Sequence, residues 1–419
     1  MAFQQGLSGL GVASKALDVI SSNVANSSTV GFKASGTVFA DTYAAAMGGG
    51  VNNLQVGMGG NAITVRQSFT QGATTATNNP LDMAIAGNGF FQVQRNNNST
   101  AFTRNGQFDL DSNGYIVTPL GERLMGYQTL NSDGTAAFIG ATAPRALQIP
   151  PIGIGAKATG TDAVPVGFRG NLNSADAAKA AAPAFSTTDS STYNFTSSSA
   201  IYDSLGNQHA MTLYFRKTAA NTWSVYSEFR PLGGTPTLVP ATPETLTFDS
   251  AGNWATGGPI AIAALNPGSG ADPLNFDINL SSFTQRNSGS AVFEITQNGT
   301  PPGELASVSV SNNGLVQGRY TNGETRDLGK VILATFRNPN GLASVGDNLW
   351  VETRDSGQPA LAGPGDGLNG TIGSGRVEES NVDMSQELVQ MIIQQRNYQA
   401  NAQSIKTQDA LLQTLINLR

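Results

Sequence analysis

The fold of this chain is decided by its C-terminal stretch, residues 384–419, which reads MSQELVQMIIQQRNYQANAQSIKTQDALLQTLINLR. Apolar residues return here in alternating steps of four and three, the spacing of a heptad seam on an α-helix. No Gly or Pro falls between Ser380 and Arg419, and Ser380 with Asp383 resembles a capping box at a helix start. The pattern predicts one amphipathic helix of about 36 residues, about 54 Å long. Its seam consists of Met384, Leu388, Met391, Gln395, Tyr398, Ala402, Ile405, Asp409, Leu412 and Ile416.

The N-terminus has a seam of the same spacing, so a helix is expected at both ends of the chain. This seam consists of Phe3, Leu7, Leu10, Ser14, Leu17, Ser21 and Val24. The C-terminal helix also has a second apolar stripe, formed by Val389, Ile392, Ile393, Leu411, Leu415 and Leu418. One partner helix could not cover both stripes, and charge pairs that would fix a simple dimer are almost missing beside the seams. We therefore predict that the apolar seam residues form a polymerisation seam among many subunits. The alternative is a two-helix coiled coil that closes one subunit.

Between the ends, apolar residues alternate with polar ones at period 2, which is typical of β-strands. Residues 103–117 predict a hairpin with its turn at Asp111-Ser112-Asn113-Gly114. Pro150-Pro151 and Pro301-Pro302 bracket a further β segment. The expected fold class is mainly β with α-helical termini, with one β domain inserted into another. The expected parts are a helical stem (1–28 and 380–419), an extended linker (29–72), an inner β domain (73–145 and 284–379) and an inserted outer β domain (146–283).

Composition excludes several classes of function. The chain has no Cys and a single His, His209, so thiolate chemistry and multi-histidine metal sites are not available. A net charge of −6 without a basic stripe argues against nucleic-acid binding. The longest apolar run, Ile260–Leu265, is far shorter than a membrane span, and the N-terminus lacks the pattern of a cleaved signal peptide. We expect no enzyme activity, no cofactor and no membrane insertion.

Four motifs have simpler explanations than a functional site. Residues 109–114 match half of a calcium loop, but Leu120 occupies the position of the bidentate Glu, so a hairpin turn is favoured. Residues 57–62 imitate a dinucleotide fingerprint, but a strand pattern follows where a helix is needed. Glu378 and Glu379 are interpreted as negative charges at a helix start, and His209 as a surface strand residue.

Three blocks of the sequence resemble the flagellar rod and hook axial proteins. The first is residues 16–33, whose motif consists of Asn23, Ala25, Asn26, Thr29, Gly31, Phe32 and Lys33. The second is residues 379–419 with Asn397-Tyr398-Gln399-Ala400-Asn401, and the third is residues 81–91, LDMAIAGNGFF. Together with residues 341–346, GLASVG, these blocks are similar to the hook branch of the family. The resemblance covers roughly residues 1–145 and 284–419.

The resemblance implies a structural subunit of the bacterial flagellar hook, a curved and flexible tube that transmits motor torque from rod to filament. It implies a coiled-coil inner tube made from both chain ends, with β domains stacked outside it. The partners implied are other copies of the chain, the distal rod and hook–filament junction proteins, the hook cap and the flagellar type III export apparatus. Such proteins are extracellular and leave the cell without a cleaved signal. The alternatives are a distal rod protein and, in another class, a β-rich surface adhesin or enzyme.

Phe39 and Tyr43 are similar to the short hydrophobic gate motif of early flagellar export substrates. Tyr43 is more polar than the bulky apolar residue of that motif. The alternative is an ordinary i, i+4 pair on a short helix.

Overall fold

The computed structural model describes residues 2–41, 59–128, 143–149, 153–268 and 270–417, with side-chain surroundings for residues 3–414 of these ranges. It confirms the predicted fold class, because the middle of the chain is β structure and each end is an α-helix. The chain divides into two compact units. Unit 1 comprises Met1–Pro151, Ser307–Arg319 and Thr325–Arg419, and unit 2 comprises Ile152–Ala306 and Tyr320–Glu324.

The helices are α1, Ala2–Ala25, and α2, Met384–Asn417. The first strands are β1 Ser35–Asp41, β2 Gly60–Gln67, β3 Thr74–Ala76, β4 Met83–Ala86, β5 Phe90–Gln94, β6 Thr100–Thr103, β7 Asp109–Leu110, β8 Ile116–Val117, β9 Arg123–Gln128 and β10 Arg145–Ala146. The next are β11 Val166–Asn173, β12 Phe195–Tyr202, β13 Gln208–Ala219, β14 Thr222–Arg230, β15 Thr237–Leu238, β16 Glu244–Phe248, β17 Trp254–Thr256, β18 Ile260–Leu265, β19 Leu274–Arg286 and β20 Ala291–Thr296. The last are β21 Leu305–Val310, β22 Leu315–Tyr320, β23 Thr325–Val331, β24 Leu333–Thr335, β25 Ala343–Gly346, β26 Leu349–Val351, β27 Ala360–Ala362, β28 Thr371–Ser374 and β29 Arg376–Glu378. Short 3₁₀ turns cover Thr161–Ala163, Ser190–Thr192 and Pro339–Gly341.

The β core of unit 1 is one large sheet whose central path runs β21-β22-β23-β9-β5-β6-β26-β25. An aromatic cluster packs on it, in which Phe90, Phe102, Phe336 and Trp350 are buried. The rings meet edge to face, with centroids 4.8 Å apart for Phe102 and Phe336. Phe69, just beyond β2, touches both Phe90 and Trp350 in the same geometry. Residues from both halves of the unit 1 sequence therefore share one core.

Unit 2 is built from a six-stranded and a four-stranded sheet that share one core. In the four-stranded sheet, β11 pairs in parallel with β19 and antiparallel with β20. Trp223 of β14, in the six-stranded sheet, is fully buried in this core, and its indole N–H donates to the side-chain oxygen of Gln285 on β19, 3.1 Å away. This bond satisfies the polar atom of a large apolar side chain.

The boundaries of the inserted unit differ from those expected from the sequence. Unit 2 spans residues 152–306 instead of 146–283, because β20, Ala291–Thr296, forms the edge of the unit 2 sheet by pairing with β11. Residues 29–72, expected to be an extended linker, contain the antiparallel pair β1–β2, which lies beside α1. The first difference depends on a strand pairing between residues far apart in sequence, and the second on a pairing within the segment itself.

Of the hairpin predicted at residues 103–117, the part from 109 to 117 is confirmed, whereas Thr103 belongs to β6, which pairs with β5 and β26. Strand β7 pairs with β8, and the Asp111 carboxylate accepts hydrogen bonds from the backbone N–H groups of Asn113 and Tyr115. The Asp111 carboxylate therefore stabilises a turn through the backbone. This agrees with the prediction of a hairpin turn instead of a calcium loop.

Candidate functional site

The two terminal helices pack against each other in antiparallel directions. A Cβ atom added at Gly6 would lie 2.9 Å from Cγ1 of Ile405, and one at Gly9 would lie 2.7 Å from the amide of Asn401. At the other end of the pair, the Asn23 amide donates to the Glu387 carboxylate over 3.0 Å. We call this pair of helices the stem. Its helices approach closely because glycine replaces larger side chains at their contact.

The face of α1 that is buried within the subunit is not its predicted seam. The buried positions are mainly small residues, namely Gly6, Ala13, Ala16, Ile20 and Asn23. Phe3 and Leu7 of the seam are 47% and 57% exposed, and Leu10, Leu17 and Val24 are half-buried. The small residues also repeat in steps of three and four, a signal that a search for large apolar side chains overlooks. Phe3 and Leu7 consequently remain at the surface, and the other three large seam residues stay partly accessible.

Helix α2 is exposed along most of its length. Glu387, Met391, Gln394, Asn401, Ala402, Ile405 and Gln408 are half-buried. Its exposed large side chains, each more than 40% accessible, are Met384, Leu388, Val389, Ile392, Ile393, Tyr398, Leu411 and Leu412. The Ile416 side chain lies outside the described residues. The predicted seam and the second stripe thus both leave apolar surface exposed on α2. Such a surface is unusual for a monomeric protein.

The start of α2 differs from the expectation. The Asp383 carboxylate caps the helix by accepting from the backbone N–H groups of Ser385 and Gln386. The helix begins at Met384, so Glu378 and Glu379 are not at its start. The interpretation of these two glutamates as helix-start charges is therefore wrong. Glu378 instead belongs to β29 and is fully buried.

The residues of the N-terminal motif lie where the stem meets the β core. The Asn23 amide donates to the backbone oxygen of Ser35 over 2.8 Å, and its oxygen accepts from the Ser35 N–H over 2.9 Å. With the bond to Glu387, Asn23 therefore ties α1 to both β1 and α2. Asn26 and Thr29 bond to each other in the turn after α1, Ala25 is exposed at the helix end, and Phe32 is half-buried.

Gly31 occupies a position that only glycine fits. Its φ is +72°, and an added Cβ would lie 2.5 Å from the backbone nitrogen of Asn105. Its N–H donates to the backbone oxygen of Glu378 over 2.8 Å. The segment after α1 is therefore bonded directly to the strand that leads into α2.

Lys33, the last residue of the motif, is fully buried beside Glu378. Its Nζ lies 2.6 Å from a carboxylate oxygen of Glu378, and Nη1 of Arg104 lies 3.2 Å from the other oxygen. Burial lowers the pKa of Lys33 below its usual value, although the carboxylate acts in the opposite direction. The motif identifies Lys33 from the sequence, but no local pattern links it to its partners Glu378 and Arg104.

We expect Asn23→Ala to weaken the stem by about 1–3 kcal/mol, because it removes the bonds of a buried amide to the half-buried Ser35 backbone and Glu387 carboxylate. Asn26→Ala is the matched control, since Asn26 is half-buried and its side chain bonds only to nearby residues, donating to Ser22 and accepting from Thr29. Its expected effect is within about 0.5 kcal/mol. Guanidinium titration of the assembled protein measures the free energy of unfolding of both variants. Equal shifts of the two midpoints would show that Asn23 has no special role.

The proposed export motif is only partly described. Phe39 lies on strand β1 and is 39% exposed, so the alternative of a short helix at this position is wrong. Tyr43 lies outside the described residues.

The prediction that His209 is a surface strand residue is wrong. Its ring is buried, with Nε2 3.1 Å from the Asp203 carboxylate, and its Nδ1 accepts from the N–H of Leu232. Burial raises the pKa of Asp203, but hydrogen bonds from Asn207 and His209 outweigh this and leave that pKa below its ordinary value. These bonds connect two turns of unit 2, a structural use of the histidine.

No metal-binding group and no membrane span is evident in the described part of the chain. Nowhere among residues 2–41, 59–128, 143–149, 153–268 and 270–417 do three or more His, Cys, Asp or Glu side chains converge as metal ligands would. Neither helix in these ranges has the length and apolarity needed to cross a bilayer.

Family models match successive parts of the chain. They are described as "Flagella basal body rod protein" (residues 3–33), "Flagellar hook protein FlgE/F/G D1 domain" (84–171), "Flagellar basal body protein FlaE D2 domain" (171–300) and "Flagellar basal body rod FlgEFG protein C-terminal" (374–418). The first and last of these cover the two helices and most of the motif residues at their junction.

Curated relatives match the chain from end to end. The "Flagellar hook protein FlgE" of Escherichia coli (strain K12) is 42% identical, with 100% of both chains covered. The protein of the same name from Salmonella typhimurium is 41% identical with the same coverage, and that of Borreliella burgdorferi is 33% identical over 99% of this chain and 98% of its own. A crystal structure of the Helicobacter pylori flagellar hook protein FlgE2 aligns with a TM-score of 0.52 at 16% identity. It covers 71% of this chain and 98% of that one, and it indicates a shared fold.

Proposed function

Because this chain belongs to the flagellar hook protein family, whose members are structural proteins and not enzymes, we propose that its stem assembles with the stems of many other copies. The protein is a structural subunit of the flagellar hook, part of the flagellum outside the cell. In this proposal the packed stems form the inner layer of the hook tube, and the β units lie around it. The tube is curved and flexible, and it transmits torque from the rod to the filament.

The observation that supports this proposal best is the uncovered apolar surface of α2. Leu388, Val389, Ile392 and Ile393 are each exposed by 44–56%, and Leu411 and Leu412 continue the apolar surface further along the helix. Burying such a side chain fully contributes about 1.5–3 kcal/mol. Helix α1 cannot cover these residues, because it already occupies the face with Asn401 and Ile405. Neighbouring copies of the same helix pair would supply the missing cover.

We expect the stem of the free subunit to be largely unfolded while both β units remain folded. Ordering a helix costs about 1–2 kcal/mol per residue, and an isolated amphipathic helix recovers little of this in water. Hydrogen exchange checks this expectation. Amides of residues 388–415 should exchange fast in dilute subunits and become protected in the polymer, while those of β13 and β14 stay protected in both. Strong protection of residues 388–415 in the dilute subunit would contradict the proposal.

A distal rod protein fits less well, although two of the matching family models carry rod names. The full-length relatives are named hook proteins, and the domain matched at residues 171–300 falls within unit 2. The partners that fit a hook subunit are the distal rod and hook–filament junction proteins and the hook cap.

The resemblance also supports export by the flagellar type III apparatus without a cleaved signal. Phe39 is an exposed aromatic residue near the N-terminus, as a gate motif requires. Phe39→Ala should lower secretion, whereas Val38→Ala on the same strand serves as the control. Unchanged secretion of the Phe39 variant would remove this residue from the proposal.

A further inference from the structure

We propose that Glu378, together with Lys33 and Arg104, is a positioning device that sets the direction in which the stem leaves the β core of unit 1. We call these three side chains the ion cluster. The proposal rests on the proposed function in one respect, because the stem matters as the part that assembles. It adds a specific role for three buried residues that do not belong to the apolar surface of the stem.

The ion cluster joins segments from both ends of the chain to the core. Lys33 lies eight residues after α1, and Glu378 lies six residues before α2. Arg104 follows β6 of the large sheet. All three side chains are at most 3% exposed. The two segments that lead to the stem are thus held at one point inside unit 1.

Every charged end in the cluster is also bonded to the backbone. The Glu378 carboxylate accepts from the N–H of Gly72 over 2.9 Å. Lys33 Nζ donates to the backbone oxygen of Thr70 over 2.7 Å, and Nη2 of Arg104 donates to that of Gly87 over 2.8 Å. Such bonds are directional, so a shift of one segment would break several of them together.

Stability alone is a poor explanation for this arrangement. The cluster contains two cations and one carboxylate, and Nε of Arg104 has no hydrogen-bond partner within the described residues. Apolar side chains of similar volume usually stabilise a protein as well as buried ion pairs do, because they avoid the loss of hydration. Apolar contacts, however, tolerate sliding, whereas the bonds of the ion cluster permit one arrangement. We therefore infer that the cluster fixes geometry.

The backbone beside the cluster is connected in the same way. The Gly31 N–H donates to the backbone oxygen of Glu378, and the Ala34 N–H donates to the side chain of Asn381 over 2.7 Å. Asn381 also donates to the backbone oxygen of Ser68 over 2.8 Å. These bonds continue the connection from the cluster towards both helices, so that a change at Glu378 can reach the stem.

Glu378→Gln and Glu379→Gln form a matched pair of variants. Glu379 is adjacent but sits at the surface, where its carboxylate accepts from the Thr75 hydroxyl. In the free subunit, Glu378→Gln should accelerate amide exchange at Gly72 about tenfold or more, since its bond to the charged carboxylate is lost. Exchange at Gly31 should accelerate as well, because its bond to the backbone oxygen of Glu378 depends on the position of that strand. Glu379→Gln should leave both amides protected. This measurement needs no polymer, so its result is independent of the proposed function. Unprotected Gly31 and Gly72 amides in the wild type would overturn the proposal.

A triple variant, Lys33→Met with Arg104→Met and Glu378→Leu, separates geometry from stability. Because the three replacements are apolar, the thermal midpoint of unit 1 in the triple variant should stay within a few degrees of that of the wild type. If the cluster positions the stem, this stable variant should form tubes of altered diameter or curvature, or none, in electron micrographs. Tubes identical to the wild type would overturn the proposal. If the triple variant does not fold, the decision rests on Glu378→Gln, whose polymers should be altered while those of Glu379→Gln are normal. Failure of the wild type itself to polymerise would count against the proposed function.

Discussion

Removal of residues 384–419 is expected to abolish polymerisation while both β units stay folded. The deletion takes away all of α2, and with it the exposed row from Leu388 to Leu412 that neighbouring copies would cover. It removes none of the strands, since β29 ends at Glu378. Without α2, helix α1 also loses the partner that contacts Gly6 and Gly9. Sedimentation and electron microscopy would show free subunits only, at concentrations where the full chain forms tubes.

A pair of point variants controls for the size of this deletion. Ile392→Asp introduces a charge into the exposed apolar row, whereas Gln390→Asp introduces the same charge at an exposed polar position two residues away. Each 1.4 kcal/mol lost from the interface raises the critical concentration about tenfold. We expect an increase of about tenfold or more for Ile392→Asp and little change for Gln390→Asp. Tube formation by the truncated chain would show that the stem is not the assembling part.

Excision of unit 2 is expected to give straight tubes in place of curved ones. The ends of the excised segment are adjacent, because Ile154 and Gly303 form an antiparallel bridge with backbone hydrogen bonds of 2.8 and 3.0 Å. A two-residue Asn-Gly turn can therefore replace residues 155–302. Unit 1 keeps its own core and the stem, so assembly should continue. The sequence-based expectation places the inserted domain on the outside of the tube, where contacts affect bending more than contacts near the axis do. Their loss should therefore remove the curvature.

The control for this excision inserts the same Asn-Gly pair between Gly233 and Gly234, at an exposed turn of unit 2. Hooks made from the control should curve normally when imaged in cells. Curved hooks from the excised chain would show that curvature is set elsewhere. Complete loss of assembly, with unit 1 still folded, would place unit 2 within the assembling scaffold.

The sequence alone determined the two helices, the β character of the middle and the turn at Asp111. These features depend on residues close together in the chain, where periodicity and side-chain-to-backbone bonds are visible directly. The family resemblance located the motif from Asn23 to Lys33 in the same way. Three residues of that motif, Asn23, Gly31 and Lys33, prove to make the contacts that join α1 and the segment after it to β1 and β29.

Only the tertiary structure decided which surfaces are covered. The heptad pattern showed that α1 has an apolar face but not that its small residues would be buried while Phe3 and Leu7 stay exposed. Lys33 and Glu378 are 345 positions apart in the sequence. Strands β11 and β20, which pair with each other, are likewise far apart in the sequence of unit 2. No spacing rule relates such positions. The pairing of Lys33 with Glu378 follows from burial, because a charge taken out of water requires a partner wherever the fold brings one.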